Sequence, residues 1–159
     1  MPRVQKRDLL DRIVARLQSE LALLTTAALA THAEATDEEN KAEDKYDTRG
    51  LEASYLAHGQ SKAAEEAAQA VAQFEALALR DFVIPEPISL GALVTLEGGA
   101  RYFMGPRAGG TEIEFEGKTV MVITPQSPLG RQLLGRKQGD AVTLELGGRR
   151  TTSRITAVT

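Results

Sequence analysis

Apolar residues recur along this chain with two different periods, and the period changes once. Leu10, Ile13, Leu17, Leu21, Leu24 and Ala28 follow one another at intervals of three and four. That spacing puts side chains on one face of an α-helix. Tyr46, Ala53, Ala57, Ala64, Ala67, Val71, Phe74 and Ala78 fit a second seam of the same kind. One seam is rich in Leu and the other in Ala, so two helices can approach closely with large side chains over small ones. Between them lies Glu34-Ala35-Thr36-Asp37-Glu38-Glu39-Asn40. Thr36 or Asp37 is placed to cap the second helix, and Glu39 stands three residues after Thr36, as in a capping box. The expectation is an antiparallel helical hairpin over residues 1–80. Its first helix, from Lys6 to about His32, would be roughly 40 Å long at 1.5 Å per residue.

Near residue 80 the pattern changes. Pro85 and Pro87 mark the boundary, because each proline disfavours helix in the residue before it. Beyond them the period is two, and β-branched residues cluster. The predicted strands are Ala92–Leu96, Arg101–Met104, Glu112–Phe115, Thr119–Thr124, Ala141–Leu146 and Thr151–Val158. Glu97-Gly98-Gly99, Gly109-Gly110, Glu116-Gly117 and Gly147-Gly148 are expected to supply hairpin turns. One helix is predicted here, Pro128–Leu134. Ser127 suits its N-cap, Pro128 its first position and Gly135 the residue after it. The fold class is therefore α+β: a helical hairpin, then a small antiparallel sheet over residues 81–159 covered by one short helix.

Composition narrows this further. Aromatics make up 4% of the 159 residues, with no Trp. Any core must be small and mostly aliphatic. The formal charge of −3 argues against wrapping nucleic acid through phosphate contacts alone. There is no Cys, so disulfides and thiolate metal sites are excluded. No signal-peptide pattern follows Met1, and no segment is expected to approach the roughly 20 apolar residues of a membrane helix. The expectation is a soluble, cytoplasmic protein with no membrane partner.

The chemistry on offer is concentrated at the turn of the hairpin. From Glu34 to Asp47 there are seven acids and two bases, Lys41 and Lys45. Acids at a helix N-terminus are favoured by its dipole, so a solvated tip explains them. They also offer oxygen ligands to a hard cation such as Mg²⁺, which takes one or two protein carboxylates and keeps several waters. Such a tip could complete a site that a partner half supplies. Lys41, Lys45 and Arg49 either pair with nearby acids or steady phosphates. His32 and His58 show no ligand spacing.

Ser127-Pro128-Leu129-Gly130-Arg131-Gln132-Leu133-Leu134-Gly135-Arg136-Lys137-Gln138-Gly139-Asp140 resembles the C-terminal signature of the bacterial GreA/GreB transcript-cleavage factors. The preceding helical hairpin resembles that family's other half. The resemblance implies an N-terminal antiparallel coiled coil and a C-terminal FKBP-like β domain that docks on RNA polymerase at its secondary channel. It implies that Ser127, Pro128, Leu129 and Gly130 contact the polymerase. It also implies that Asp37 and Glu39, with Glu38 as a substitute, act at the tip on the polymerase's catalytic Mg²⁺, and that Lys41 and Arg49 lie near the nascent RNA. The protein would have no cofactor of its own, would act as a monomer, and would be an accessory factor rather than an enzyme, since the polymerase itself cuts backtracked RNA.

At the tip the family pattern is close to Asp-x-x-Glu-Asn-Ala-Glu-Tyr. Aligning on Ala42-Glu43 puts Asp37 on the family Asp but Asn40 on the family Glu. Aligning on Glu39-Asn40 puts Glu39 on the family Glu but Thr36 on the family Asp. Neither register keeps both acids. A Rnk-like regulator that occupies the channel without promoting cleavage is therefore the alternative. A different class of answer is an interaction protein that dimerises through its hairpin. Prolyl isomerase activity, which an FKBP-like fold raises, needs a pocket lined with aromatics. The second half offers only Phe82, Tyr102, Phe103 and Phe115.

Overall fold

The structure, a computed structural model, describes residues 3–36 and 49–159, with side chains for 5–30, 59–145 and 147–159. Two long helices come first, α1 (Arg3–Thr36) and α2 (Arg49–Glu75). Six strands and one short helix follow: β1 (Leu93–Leu96), β2 (Arg101–Met104), β3 (Glu112–Phe115), β4 (Lys118–Ile123), α3 (Pro128–Leu133), β5 (Ala141–Leu146) and β6 (Arg149–Val158). The chain forms two compact units. One contains residues 15–72, and the other contains residues 1–14 and 73–159.

The helical unit follows its seams. Leu17, Ala28, Ala70 and Val71 are buried, and Leu21, Leu24, Ala64 and Ala67 are half-buried. Two details differ from expectation. Thr36 is the last residue of α1 rather than a cap on α2, because Ala27, Ala28, Ala30, Ala33 and Ala35 are strong helix formers and carry the helix past His32. At its other end α2 stops at Glu75, leaving Ala78 exposed outside it. There the Arg80 carbonyl turns to accept a bond from Lys6.

One segment of α1, Gln5–Ala30, is long and apolar enough to cross a membrane by length and composition, contrary to expectation. Lys6, Arg7, Asp8, Asp11, Arg12, Arg16 and Glu20 all lie within it. A charge at a bilayer centre costs about 2.5–3.5 kcal/mol even on insertion scales. Arg7–Asp11, Arg12–Asp8 and Arg16–Glu20 instead form pairs one turn apart at 3.2–3.4 Å.

The sheet runs β3-β4-β2-β1-β6-β5. It is mixed, not antiparallel throughout: β2 and β4 run parallel, Arg101 opposite Val120 and Met104 opposite Ile123. A parallel pair needs a crossover of about a dozen residues, and residues 105–117, which include β3, provide it. Gly109-Gly110 accordingly lies in that crossover and not in a hairpin turn. The two tightest reversals are as expected. Phe115 faces Lys118 across Glu116-Gly117, and Leu146 faces Arg149 across Gly147-Gly148. All four loop residues have positive φ (52° and 76°, 59° and 80°), the conformation that matches the twist of the flanking strands.

Leu129 and Leu133 of α3 join Val94, Leu96, Met104, Ile123, Ile155 and their neighbours in one buried cluster, against which Tyr102 packs. Burial pushes the Tyr102 phenol above its ordinary value. The alternate residues Leu93, Phe103, Val120 and Val122 are buried as well. Both faces of the central strands are therefore covered, where a single helix on one face was expected. All four Phe of the chain are in the core. At the edge strand β3, Arg12 Nη1 donates to the Glu114 carbonyl at 3.4 Å, with its guanidinium 5.8 Å from the Phe115 ring.

Lys6 is wholly buried. Its Nζ donates to the carbonyls of Arg80 at 2.7 Å and Thr159 at 3.1 Å, and stands 4.9 Å from the Phe82 ring centre. The Arg80 guanidinium lies over the same ring at 4.0 Å and pairs with Glu86. Replacing Lys6 with Met keeps the length but removes both bonds, leaving the Arg80 carbonyl without this donor while the Thr159 oxygen keeps the Leu93 N–H at 2.9 Å. Urea unfolding of Lys6→Met should show a loss of about 2–4 kcal/mol, and an unchanged midpoint would disprove the anchoring role.

Arg80, together with the Val83 N–H at 3.3 Å, holds the Glu86 carboxyl below its usual 4.5. A depressed carboxyl contributes stability above its unfolded value and loses that contribution as pH falls through the folded one. The difference in melting temperature between wild type and Glu86→Gln should therefore be constant near neutrality and shrink as pH drops below about 4.5.

Candidate functional site

Ser127 organises the C-terminal site. Its backbone is extended (φ −68°, ψ 154°), and its Oγ accepts from the Gly130 N–H at 3.1 Å. The same hydroxyl donates to the Thr124 carbonyl at 2.8 Å. In return Thr124 Oγ1 accepts from the Ser127 N–H at 3.2 Å. Thr124 and Ser127 thus clasp one another at the point where β4 gives way to α3. Pro128 fills the first helical position, where no N–H is needed. Gly135, at φ +81°, ends the helix and donates to the Ile88 carbonyl at 2.9 Å.

Gly130 is demanded by this clasp. A Cβ there would stand 1.7 Å from the Thr124 carbonyl oxygen, a backbone atom that cannot swing aside. The structure keeps Ser127 half-buried and Pro128 exposed, while Leu129 and Gly130 are buried. Leu129 and Gly130 therefore shape the surface that Ser127 and Pro128 present to solvent.

Two hollows flank Ser127. The larger, about 640 Å³, is polar and is lined by Gln73, Arg107, Gly109, Thr124 and Gln126 among others. The smaller, about 280 Å³, is mostly apolar and is lined by Met121, Val122, Ile123, Pro128 and Leu129, with Glu145 and Gly147 at the β5–β6 turn. No aromatic ring lines either hollow. Phe82, Phe103 and Phe115 are committed to the core. Sequence reasoning missed Arg107. The signal for it was the stretch between Glu97 and Glu112, which holds two arginines and no acid.

Residues 109–159 match the family described as "Transcription elongation factor, GreA/GreB, C-term". The chain carries a GreA/GreB C-terminal domain. That domain includes the whole Ser127–Asp140 stretch, both flanking strands and the Gly147-Gly148 reversal. Among solved structures the chain is similar to the GreA factor homolog 1 (Gfh1) protein of Thermus thermophilus, at 21% identity over 92% of this chain and 94% of that one, with a TM-score of 0.39. It is similar to Gfh1 of Thermus aquaticus, at 20% identity over 97% and 94%, with a TM-score of 0.35. A GreA/GreB factor from Nitrosomonas europaea matches at 20% identity over 69% of this chain and 92% of that one, with a TM-score of 0.33. With scores this low, none of these likenesses fixes the arrangement of the whole chain. No curated protein matches it in sequence.

The remaining site residues are placed less fully. Asp37, Glu38, Glu39 and Lys41 lie outside the described residues. Arg49 is the first residue of α2, and its side chain lies outside them too. Among the described residues no group of three or more His, Asp or Glu is gathered to hold a metal.

The GreA/GreB domain's helix start generates a graded stability series. Ser127→Ala, which removes the cap, should cost about 1–2 kcal/mol. Gly130→Ala, which drives a methyl into backbone, should cost about 3 kcal/mol or more. Thermal unfolding of both variants checks the order, and a Gly130→Ala protein as stable as wild type would contradict the clasp.

Proposed function

We propose that this protein is a bacterial transcription elongation factor of the GreA/GreB kind, which binds RNA polymerase in its secondary channel and stimulates cleavage of backtracked nascent RNA. The observation that carries this reading is the GreA/GreB C-terminal match over residues 109–159, with Ser127 and Pro128 at the surface of the domain. In this reading Ser127 and Pro128 meet the polymerase, held in place by Leu129 and Gly130. Asp37 and Glu39, with Glu38 as a substitute, offer carboxylate oxygens at the hairpin tip. The donor type suits Mg²⁺, a hard cation that takes oxygen ligands and needs few from any one protein. The polymerase's metal would supply the charge that activates water and stabilises the leaving oxygen. The tip carboxylates hold and orient, and Lys41 and Arg49 steady the extruded RNA. The protein is an accessory factor, without catalysis of its own.

Backtracked elongation complexes test this directly. Added protein should accelerate transcript cleavage, and Asp37→Asn with Glu39→Gln should reduce that stimulation roughly 10- to 100-fold, the range met when ligand support is removed from a metal site. Unchanged stimulation would remove the tip from the mechanism.

The tip itself favours a second reading. Since neither register places acids on both family positions, a Rnk-like regulator that occupies the channel without promoting cleavage fits the same domain. It would compete with a bona fide Gre factor while leaving backtracked RNA uncut.

A further inference from the structure

Most described arginines on the sheet unit are committed. Arg7, Arg12, Arg80, Arg101 and Arg150 pair with carboxylates, and Arg154 donates to the Gly139 carbonyl. Arg131, Arg136 and Arg149 lack such a partner among the described residues but are exposed, where water can satisfy them. Arg107 is different. It is half-buried, lines the larger hollow beside Ser127, and has no carboxylate partner among the described residues. It also lies outside the segment that the family match covers.

A half-buried arginine that lines a hollow and has no carboxylate partner among the described residues can take an anion there. A planar carboxylate meets a guanidinium with two parallel bonds. The neighbours fit such a guest, since Gln73 and Gln126 bring adaptable amides to the same hollow. Ser127 lines this hollow and the apolar one alike, so the two adjoin at a single residue. The apolar recess of Met121, Pro128 and Leu129 suits an aliphatic side chain and offers nothing to a phosphodiester. The one acid on its rim, Glu145, is already paired with Arg150 at 2.7 Å.

We propose that the two hollows form one docking surface for an acidic protein segment, which places a carboxylate on Arg107 and an aliphatic side chain in the recess beside Pro128. The proposal rests on the polymerase-binding reading and makes Arg107 the residue that selects the docking segment by charge.

Binding of the full-length chain to bacterial RNA polymerase core enzyme, titrated over a range of salt, tests it with wild type, Arg107→Glu and Arg107→Lys. Arg107 makes no ion pair that a substitution would break, so the melting temperature should hold in all three. Charge reversal should weaken binding at least about tenfold and flatten its salt dependence, while Arg107→Lys should keep most of the affinity. Equal binding by wild type and Arg107→Glu overturns this proposal and leaves the polymerase reading intact. Failure of wild type to bind overturns both.

Discussion

A buried ammonium holds the sheet unit together. Lys6 gives up water entirely, a loss worth several kcal/mol unless donors find acceptors. Its bonds to the Arg80 and Thr159 carbonyls meet that demand with residues 74 and 153 positions away in sequence. The start of α1, the segment after α2 and the end of β6 are thereby fastened at one point. Phe82 closes it from the side, with Lys6 on its ring and Arg80 over it. Such an anchor is unlike a hydrophobic contact, because it tolerates little sliding: a shift of one residue would leave a charge in the core without partners.

The same logic of fixed polar geometry operates at Ser127. Five hydrogen-bonding groups of Thr124 and Ser127 satisfy one another across the turn from strand to helix, and the glycine at 130 lets the backbone come close enough for this to happen. What results is a surface on which Ser127 borders a polar hollow and an apolar one, with the exposed Pro128 at the apolar side. In the proposed docking, such fixed geometry would add little ordering cost when a partner arrives.

Much of this was legible in the sequence because the determinants are local. Ser127, Pro128 and Gly135 announce the ends of α3 by their own backbone preferences, and Gly147-Gly148 announces its hairpin in the same way. The helical seams of Leu10, Ile13 and Leu17 were equally plain, since a period needs no knowledge of the partner. The determinants that escaped are tertiary. Strand alternation does not say which strand lies alongside, so the parallel pairing of β2 with β4 was invisible. Lysine reads as a surface residue until its acceptors are known. The requirement at Gly130 comes from the Thr124 carbonyl, and whether Arg107 has a carboxylate partner among the described residues depends on tertiary placement. The stretch that holds Asp37 and Glu39 is legible only as composition.

The contact of Arg12 with the Glu114 carbonyl has a consequence for association. An outermost strand is an open row of amide groups onto which another chain can zip, the usual beginning of fibrils and swapped dimers. Here that row is only four residues long and bears outward acids at Glu112 and Glu114, and a guanidinium from α1 occupies one of its carbonyls. An incoming strand would have to displace a cation and face negative charge for a very short gain. The sheet is finished on that side, and copies of this protein are discouraged from growing into one another there.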